Sequence, residues 1–237
     1  MYALPEQTTA GALADLASAI ALEPAHLSHY QLTLEPGTAF YYRPPPLPDD
    51  DQAFEMQEAC QQTLAEAGFA QYEVSAYARP GRQCRHNLNY WRFGDYLGIG
   101  AGAHGKLTVG DRIIRTEKTR MPREYLRRAA EGVGNGDTRR SVPVADLPFE
   151  FMLNALRLHE GFTLADFERT TGLAAQTLAP GLAELTGKTL MAETGGRWRP
   201  TGLGFRFLND IQAAFLPPGA GVAGGKELYT AASRLGP

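Results

Sequence analysis

Cysteine is scarce in this sequence. Only Cys60 and Cys84 occur among the 237 residues. Two thiols cannot form a disulfide framework, and they cannot supply a metal site that needs three or four thiolates. Sites of that kind are therefore excluded from this stretch of chain.

Long apolar runs and an excess of basic residues are missing as well. No stretch of 18 apolar residues occurs, so a membrane-spanning helix is not expected. The first residues show no basic segment followed by an apolar core, and we therefore expect a cytoplasmic protein. The formal net charge of −3 gives no reason to expect nucleic acid or an anionic membrane as a partner.

Helical and extended patterns alternate in the first part of the chain. Apolar residues at helical spacing predict helices over residues 9–22 and 50–67. Extended patterns at residues 26–34 and 72–76 flank the second helix. This order favours α/β structure with parallel strands and crossover helices. About three strands are predicted, which are too few to close a barrel.

Turn signals organise the second part of the chain. A hairpin is predicted around residues 110–111 and another around residues 195–196. A helical pattern that begins at residue 174 is interrupted at Pro180. Together, three helical patterns, the second hairpin and a last helix to Phe215 resemble a winged-helix domain.

Residues 84–106 contain most of the chemistry. In the first half of this segment, His86 lies among the aromatic residues Tyr90 and Trp91. Imidazole nitrogen is a good iron ligand, and aromatic faces stack on a porphyrin. In the alternative interpretation, two asparagines hold a loop and the aromatic rings fill the core. Residue chemistry alone favours this structural interpretation.

The second half of the same segment is rich in glycine. Gly98, Gly100, Gly102 and Gly105 allow the backbone to approach a ligand closely. No acidic residue follows at the distance that a dinucleotide-binding fingerprint requires, so a site of that kind is not expected. A tight turn at the end of a strand explains the glycines equally well.

Six segments in a constant order resemble the HemW family of radical-SAM proteins. HNLNYW at residues 86–91 resembles the HNxxYW signature of that family. Five other segments are similar to further parts of the family: MYALPEQT, LSHYQLTLEPGTAFY, QYEVSAYARPG, GDYLGIGAGAHG and PFEFMLNALRLHEGF. The resemblance covers residues 1–216, and it reverses the preference between the two interpretations of His86.

This resemblance implies an α/β fold, namely the C-terminal part of a partial (β/α)6 radical-SAM barrel followed by a small winged-helix-like α+β domain. The barrel part is expected at residues 1–131 and a linker at residues 132–141. The C-terminal domain is then expected at residues 142–216, and residues 217–237 are expected to be a disordered tail.

The resemblance implies two groups of binding residues and no catalytic residue. His86 matches the heme-contacting histidine of the family and is the implied ligand of the heme iron. The heme signature comprises His86, Asn87, Tyr90 and Trp91. The residues implied to line an S-adenosylmethionine pocket are Gln31, His104, Gly100 and Gly102.

HemW proteins bind heme and are thought to pass it to acceptor proteins. The resemblance therefore implies heme as a ligand, a heme-acceptor protein as a partner and a role in porphyrin metabolism. The full-length family also binds S-adenosylmethionine and a [4Fe–4S] cluster. The CxxxCxxC motif for the cluster does not occur in this sequence. We therefore expect no radical chemistry from this chain alone. We interpret the chain as a gene fragment, the product of a misplaced start codon or one half of a split protein.

Two alternative functions stay open. The first is part of an oxygen-independent coproporphyrinogen III oxidase, completed by a missing N-terminal half that carries CxxxCxxC. The second is a winged-helix nucleic-acid-binding module at residues 142–216. Its candidate recognition helix at residues 174–187 carries neither Arg nor Lys, which argues against nucleic acid as a partner.

Overall fold

The computed structural model describes residues 1–131 and 138–217, and the chain divides into two compact units between Cys84 and Arg85. This division differs from the boundary predicted within residues 132–141. The predicted tail lies outside the described residues, apart from its first residue.

The first unit contains three helices and three short strands. They are α1 (Thr9–Ile20), β1 (His26–Ser28), α2 (Ala39–Tyr42), α3 (Asp50–Glu66), β2 (Ala70–Glu73) and β3 (Ala76–Ala78). The two long helices confirm the prediction, and each begins at a capping side chain. Thr8 caps α1, and Asp49 forms a capping box with Gln52 at the start of α3.

An apolar core joins α1 and α3. Leu16 of α1 and Met56, Cys60 and Leu64 of α3 are almost fully buried. Burial of an aliphatic side chain of this size contributes about 1.5–3 kcal/mol. Cys60 therefore serves as a small apolar core residue, as its position on the helix predicted.

The sheet of the first unit corrects the predicted strand arrangement. The central strand β3 pairs antiparallel with both β1 and β2. Residues 74–75 form a two-residue turn between β2 and β3, and so short a connection joins antiparallel strands only. The prediction of parallel strands with crossover helices is therefore wrong for these three strands. A parallel contact occurs at the isolated bridge between Tyr2 and Gln31.

The second unit begins with the signature segment. Its elements are α4 (Arg85–Trp91), β4 (His104–Val109), β5 (Arg112–Glu117), α5 (Pro122–Ala130), β6 (Thr138–Ser141), α6 (Leu147–Ala155), α7 (Leu164–Thr171), α8 (Ala179–Gly187), β7 (Met191–Thr194), β8 (Arg197–Pro200), α9 (Gly202–Arg206) and α10 (Leu208–Ala213). Short 3-10 turns precede α6 and α8.

Both predicted hairpins are confirmed. Residues 110–111 join β4 to β5, and residues 195–196 join β7 to β8, with glycines at positive φ in each turn. β6 adds a third antiparallel strand to the first hairpin. Four residues of the predicted linker thus form a strand, because backbone pairing with the edge of β5 does not require apolar side chains.

Two helix boundaries differ from the prediction. Pro180 lies in the first turn of α8, where a missing N–H costs nothing, and so it begins this helix instead of interrupting it. The predicted last helix to Phe215 is divided at Phe207, which has non-helical φ and ψ. Nothing in the sequence around Phe207 explains the break.

Edge-to-face phenylalanines form the centre of the second core. The ring of Phe151 on α6 lies 5.7 Å from Phe93, 5.2 Å from Phe162 and 5.2 Å from Phe167, measured between centroids. Aromatic pairs of this geometry contribute about 0.5–1.5 kcal/mol beyond their burial. Phe93 lies two residues after the end of α4, and this packing therefore helps to fix the end of the signature helix.

Candidate functional site

The HNLNYW segment forms helix α4, which separates the signature into two pairs. Residues four positions apart lie on the same helix face. His86 and Tyr90 form the outer pair, with His86 exposed and Tyr90 half-buried. Asn87 and Trp91 form the inner pair, and each is 6 % exposed. The structure thus brings the four predicted heme-signature residues together but turns only half of them outward.

His86 presents a free imidazole. Its ring stands edge-on to the ring of Tyr90, at 4.6 Å between centroids and 89° between planes. Within residues 1–131 and 138–217, no hydrogen bond involves the His86 ring. An exposed imidazole without such a bond is available as a ligand to a metal.

A series of side-chain contacts holds Tyr90 in place. The ring of Tyr96 lies 4.3 Å from that of Tyr90, and the Tyr96 hydroxyl accepts a hydrogen bond from Arg115 Nη1 at 3.0 Å. Arg115 Nη2 in turn lies 2.5 Å from Glu150 Oε2 in a buried ion pair. Burial raises the pKa of Tyr96, and the nearby Arg115 charge opposes this effect. Tyr96 therefore remains neutral at physiological pH.

Trp91 belongs to the core. The guanidinium of Arg157 lies 4.3 Å from the centroid of its ring, so one face of the indole is already covered. Its Nε1 atom is buried and has no hydrogen-bond partner among the described residues. This burial agrees with the structural interpretation of Trp91 and leaves no open ring face for a porphyrin.

Backbone geometry accounts for the glycine-rich segment. A Cβ atom on Gly98 would overlap the carbonyl of His104, and one on Gly105 would overlap the hydroxyl of Thr116. Gly100 and Gly102 have φ values of +108° and +71°. These four positions require glycine whether or not a ligand is present.

The residues predicted for an S-adenosylmethionine pocket fall in both units. Gln31 is exposed in the first unit, 3.5 Å from the hydroxyl of Tyr2. In the second unit, His104 is half-buried at the start of β4. The amide of Gly100 donates to the hydroxyl of Tyr125, and the amide of Gly102 donates to a backbone carbonyl. The two glycine amides are thus already used within the protein.

The described residues offer no cluster site. They contain no group of three or more His, Cys, Asp or Glu side chains that could hold a metal ion. Cys60 is buried in the first core, and Cys84 is half-buried just before α4. Within the same residues, no helix combines the length and apolar character needed to cross a membrane.

Sequence reasoning missed a group of arginines beside α4. Arg85 begins this helix and Arg92 directly follows its last residue, and the two line a cleft together with Arg169 of α7. Arg197 of β8 lines a second cleft, which shares Arg92 and Arg169 with the first. The spacing of Arg85 and Arg92 by seven residues, two helical turns, was the available signal.

Comparison with known proteins defines the class first. The family described as HemN C-terminal domain matches residues 142–207. The solved Escherichia coli coproporphyrinogen III oxidase HemN, described as a radical SAM enzyme, is similar with a TM-score of 0.68 and 19% identity. The match covers 90% of this chain and 53% of that chain. This likeness shows the fold alone, an α/β fold of the kind found in the C-terminal portion of a radical-SAM protein.

Sequence similarity then identifies particular relatives. Heme chaperone HemW of Escherichia coli K12 is 49% identical over 218 residues, which cover 91% of this chain and 56% of that protein. Heme chaperone HemW of Haemophilus influenzae is 47% identical over 221 residues, with 91% and 55% covered. The chain is a homologue of the HemW proteins, as the resemblance predicted, and it spans about half the length of these relatives.

Proposed function

We propose that this chain binds heme through helix α4, with His86 as the ligand of the iron, as part of a HemW-type heme chaperone. The observation that carries the proposal is the exposed imidazole of His86, which has no hydrogen bond within the described part of the chain. The similarity to proteins named heme chaperone HemW supports the choice of heme. Transfer of the heme to an acceptor protein forms part of this proposal.

The residues around His86 fit an axial ligand. Heme supplies an iron that accepts a nitrogen donor, and histidine is a frequent proximal ligand. The ring of Tyr90 lies directly beside the exposed His86 ring, at right angles to it. Tyr96 and Arg115 hold Tyr90 in place through the contacts described above. The chain thus presents one imidazole at its surface beside a packed aromatic ring.

A four-iron cluster does not fit the cysteines of this chain, because Cys60 is enclosed in a core and Cys84 is a single thiol. No radical step is therefore proposed for it. We propose that Gln31 of the first unit and His104, Gly100 and Gly102 of the second unit each keep the S-adenosylmethionine-binding role that the resemblance implies. The open space above the backbone of Gly100 supports this assignment.

We also propose the finer domain organisation predicted from the sequence. Residues 1–131 would contribute the C-terminal part of a partial (β/α)6 barrel through the parallel bridge between Tyr2 and Gln31, since β1, β2 and β3 pair antiparallel and do not belong to such a barrel. Residues 142–216 would form a winged-helix-like domain. The order of α6, α7 and α8 before the β7–β8 hairpin supports the second assignment. The absence of Arg and Lys from residues 174–187 gives no support to nucleic-acid binding there.

Titration of heme into the purified chain tests the function. We expect a saturable shift of the Soret band for the native sequence, and we expect His86→Ala to lose that shift. His26→Gln is the matched control, because His26 lies in the first unit and its Nε2 is bonded to the Tyr72 hydroxyl at 2.8 Å. Cys84→Ser removes the thiol two residues before His86, so that any contribution of this thiol to the shift is measured separately. Identical spectra for the native chain and His86→Ala would eliminate His86 as the iron ligand.

A further inference from the structure

A second face of α4 carries positive charge. Arg85, Leu88 and Asn89 share this face, and Arg92, the residue after the helix, continues it, since its amide still donates to the carbonyl of Leu88. With Gly94 and Arg169 they line a cleft of about 330 Å³. Because Arg85 directly precedes His86, the charged face and the exposed imidazole are neighbours on one helical turn.

An adjoining cleft of about 280 Å³ continues this surface. It shares Arg92 and Arg169 with the first cleft and adds Arg197 from β8. Arg197 is fixed in place, because its Nε donates to the carbonyl of Glu160 at 2.9 Å and its Nη2 donates to the carbonyl of Gly161 at 2.7 Å. We call the two clefts together the arginine cleft.

Positive charge exceeds negative charge in the arginine cleft. Four guanidinium groups face two carboxylates, those of Glu160 and Asp166. Glu160 lies 2.9 Å from Arg92 Nη2, and Asp166 lies 3.0 Å from Arg169 Nη2. Exposed Arg85 has no ion-pair partner within the described part of the chain. A net surplus of two positive charges is thus left in a chain whose formal charge is −3.

We propose that the arginine cleft binds the carboxylate arms of the porphyrin whose iron His86 ligates, an inference that rests on the proposed function. Guanidinium groups recognise carboxylates through paired, charge-assisted hydrogen bonds. Volumes of about 280 and 330 Å³ lie at the lower end of ligand pockets, which span about 300–1,000 Å³. The arginine cleft therefore suits the propionate side chains and leaves the macrocycle outside, beside His86.

Three ligands distinguish binding of the porphyrin carboxylates by the arginine cleft, which we call the carboxylate anchor, from ligation of the iron by His86. They are heme, iron-free protoporphyrin IX and the dimethyl ester of protoporphyrin IX. The iron-free porphyrin keeps the carboxylates but offers nothing to His86, and its ester lacks both features. Binding is followed by the Soret band and by quenching of Trp91 and Trp198, the two tryptophans of the chain.

The decisive variant is the double substitution Arg85→Gln and Arg92→Gln. The native chain should bind protoporphyrin IX at least about tenfold more tightly than its dimethyl ester, since hydrogen bonds to charged groups are among the stronger ones. The double variant should bind both forms equally. His86→Ala should weaken heme binding and leave protoporphyrin IX binding unchanged. Arg123→Gln, on exposed α5, is the control and should keep the native preference. Circular dichroism verifies that each variant is folded.

The outcomes distinguish the two proposals. Equal native affinity for protoporphyrin IX and its ester would overturn the carboxylate anchor, and so would a preference that survives in the double variant. A Soret shift of heme that still depends on His86 would leave the proposed function standing in either case. Conversely, loss of the preference in the double variant with no effect of His86→Ala on heme would support the anchor and refute the iron ligand.

Discussion

His86 and Trp91, although five residues apart in one short helix, have opposite surroundings. His86 is exposed, whereas Trp91 is 6 % exposed and lies under the guanidinium of Arg157. The sequence motif gives both residues the same apparent role beside a porphyrin. Their burial separates these roles, because only an accessible group can contact a ligand without unfolding the core.

Substitution of these two residues should therefore have different consequences. Trp91→Ala removes a buried aromatic side chain and should lower the free energy of unfolding by about 3–5 kcal/mol. His86→Ala changes an exposed side chain and should stay within about 0.5 kcal/mol of the native chain. Urea denaturation followed by circular dichroism measures both. A stable Trp91→Ala chain that has lost heme binding would contradict the core role assigned to Trp91.

Local signals made most elements predictable at the scale of helices and hairpins. Capping residues and apolar spacing located α1 and α3, and glycine turns located both hairpins. The direction of β2 and β3 was mispredicted, because alternation of residues does not reveal whether a short turn divides a strand. Likewise, Thr138–Ser141 was predicted to belong to a linker. Its pairing with β5 depends on the partner strand and not on its own side chains, and so the sequence did not reveal it.

The candidate site was predictable only in part, for a related reason. His86 and Tyr90 come from one contiguous motif, and a family resemblance therefore points to them directly. The arginine cleft combines Arg85 with Arg169, which lies 84 positions later in the sequence, and with Arg197, which lies 112 positions later. No pattern in a single segment connects Arg85 with Arg169 or Arg197, and tertiary structure was needed to bring them together.

The loop between α6 and α7 should be sensitive to a single methyl group. Gly161 has a φ of +68°, and an added Cβ would overlap the carbonyl of Trp198. Gly161→Ala should therefore lower the free energy of unfolding by about 1–3 kcal/mol. Gly187→Ala is the matched control, because nothing lies within 4 Å of its Cβ position and its φ is not left-handed. That control should be neutral or stabilising by about 0.4–1 kcal/mol. Equal stability of the two variants would contradict the assigned strain.

Among the histidines of the chain, those with lowered pKa values make its stability depend on pH between about 4 and 6.5. Three of the five, His26, His29 and His159, have pKa values lowered by burial. For His29, burial and then the charge of the terminal amine lower the pKa to about 4. Asp95 and Asp166 also have lowered pKa values, because hydrogen bonds outweigh the effect of burial. The stability that these two carboxylates contribute is lost mainly below their ordinary pKa of 3.8, which lies outside this interval.

The sign of the resulting pH dependence follows from proton binding. Below the usual histidine pKa of about 6.5, the unfolded chain binds protons at these positions, whereas the folded chain does so only near the lowered value. The free energy of unfolding should therefore fall as the pH drops from 6.5 toward 4. Urea denaturation of the native chain at pH 7.5 and 5.0 should reveal this loss, and His29→Gln should reduce it because glutamine does not titrate. An equal loss in both chains would show that His29 is not a source of the pH dependence.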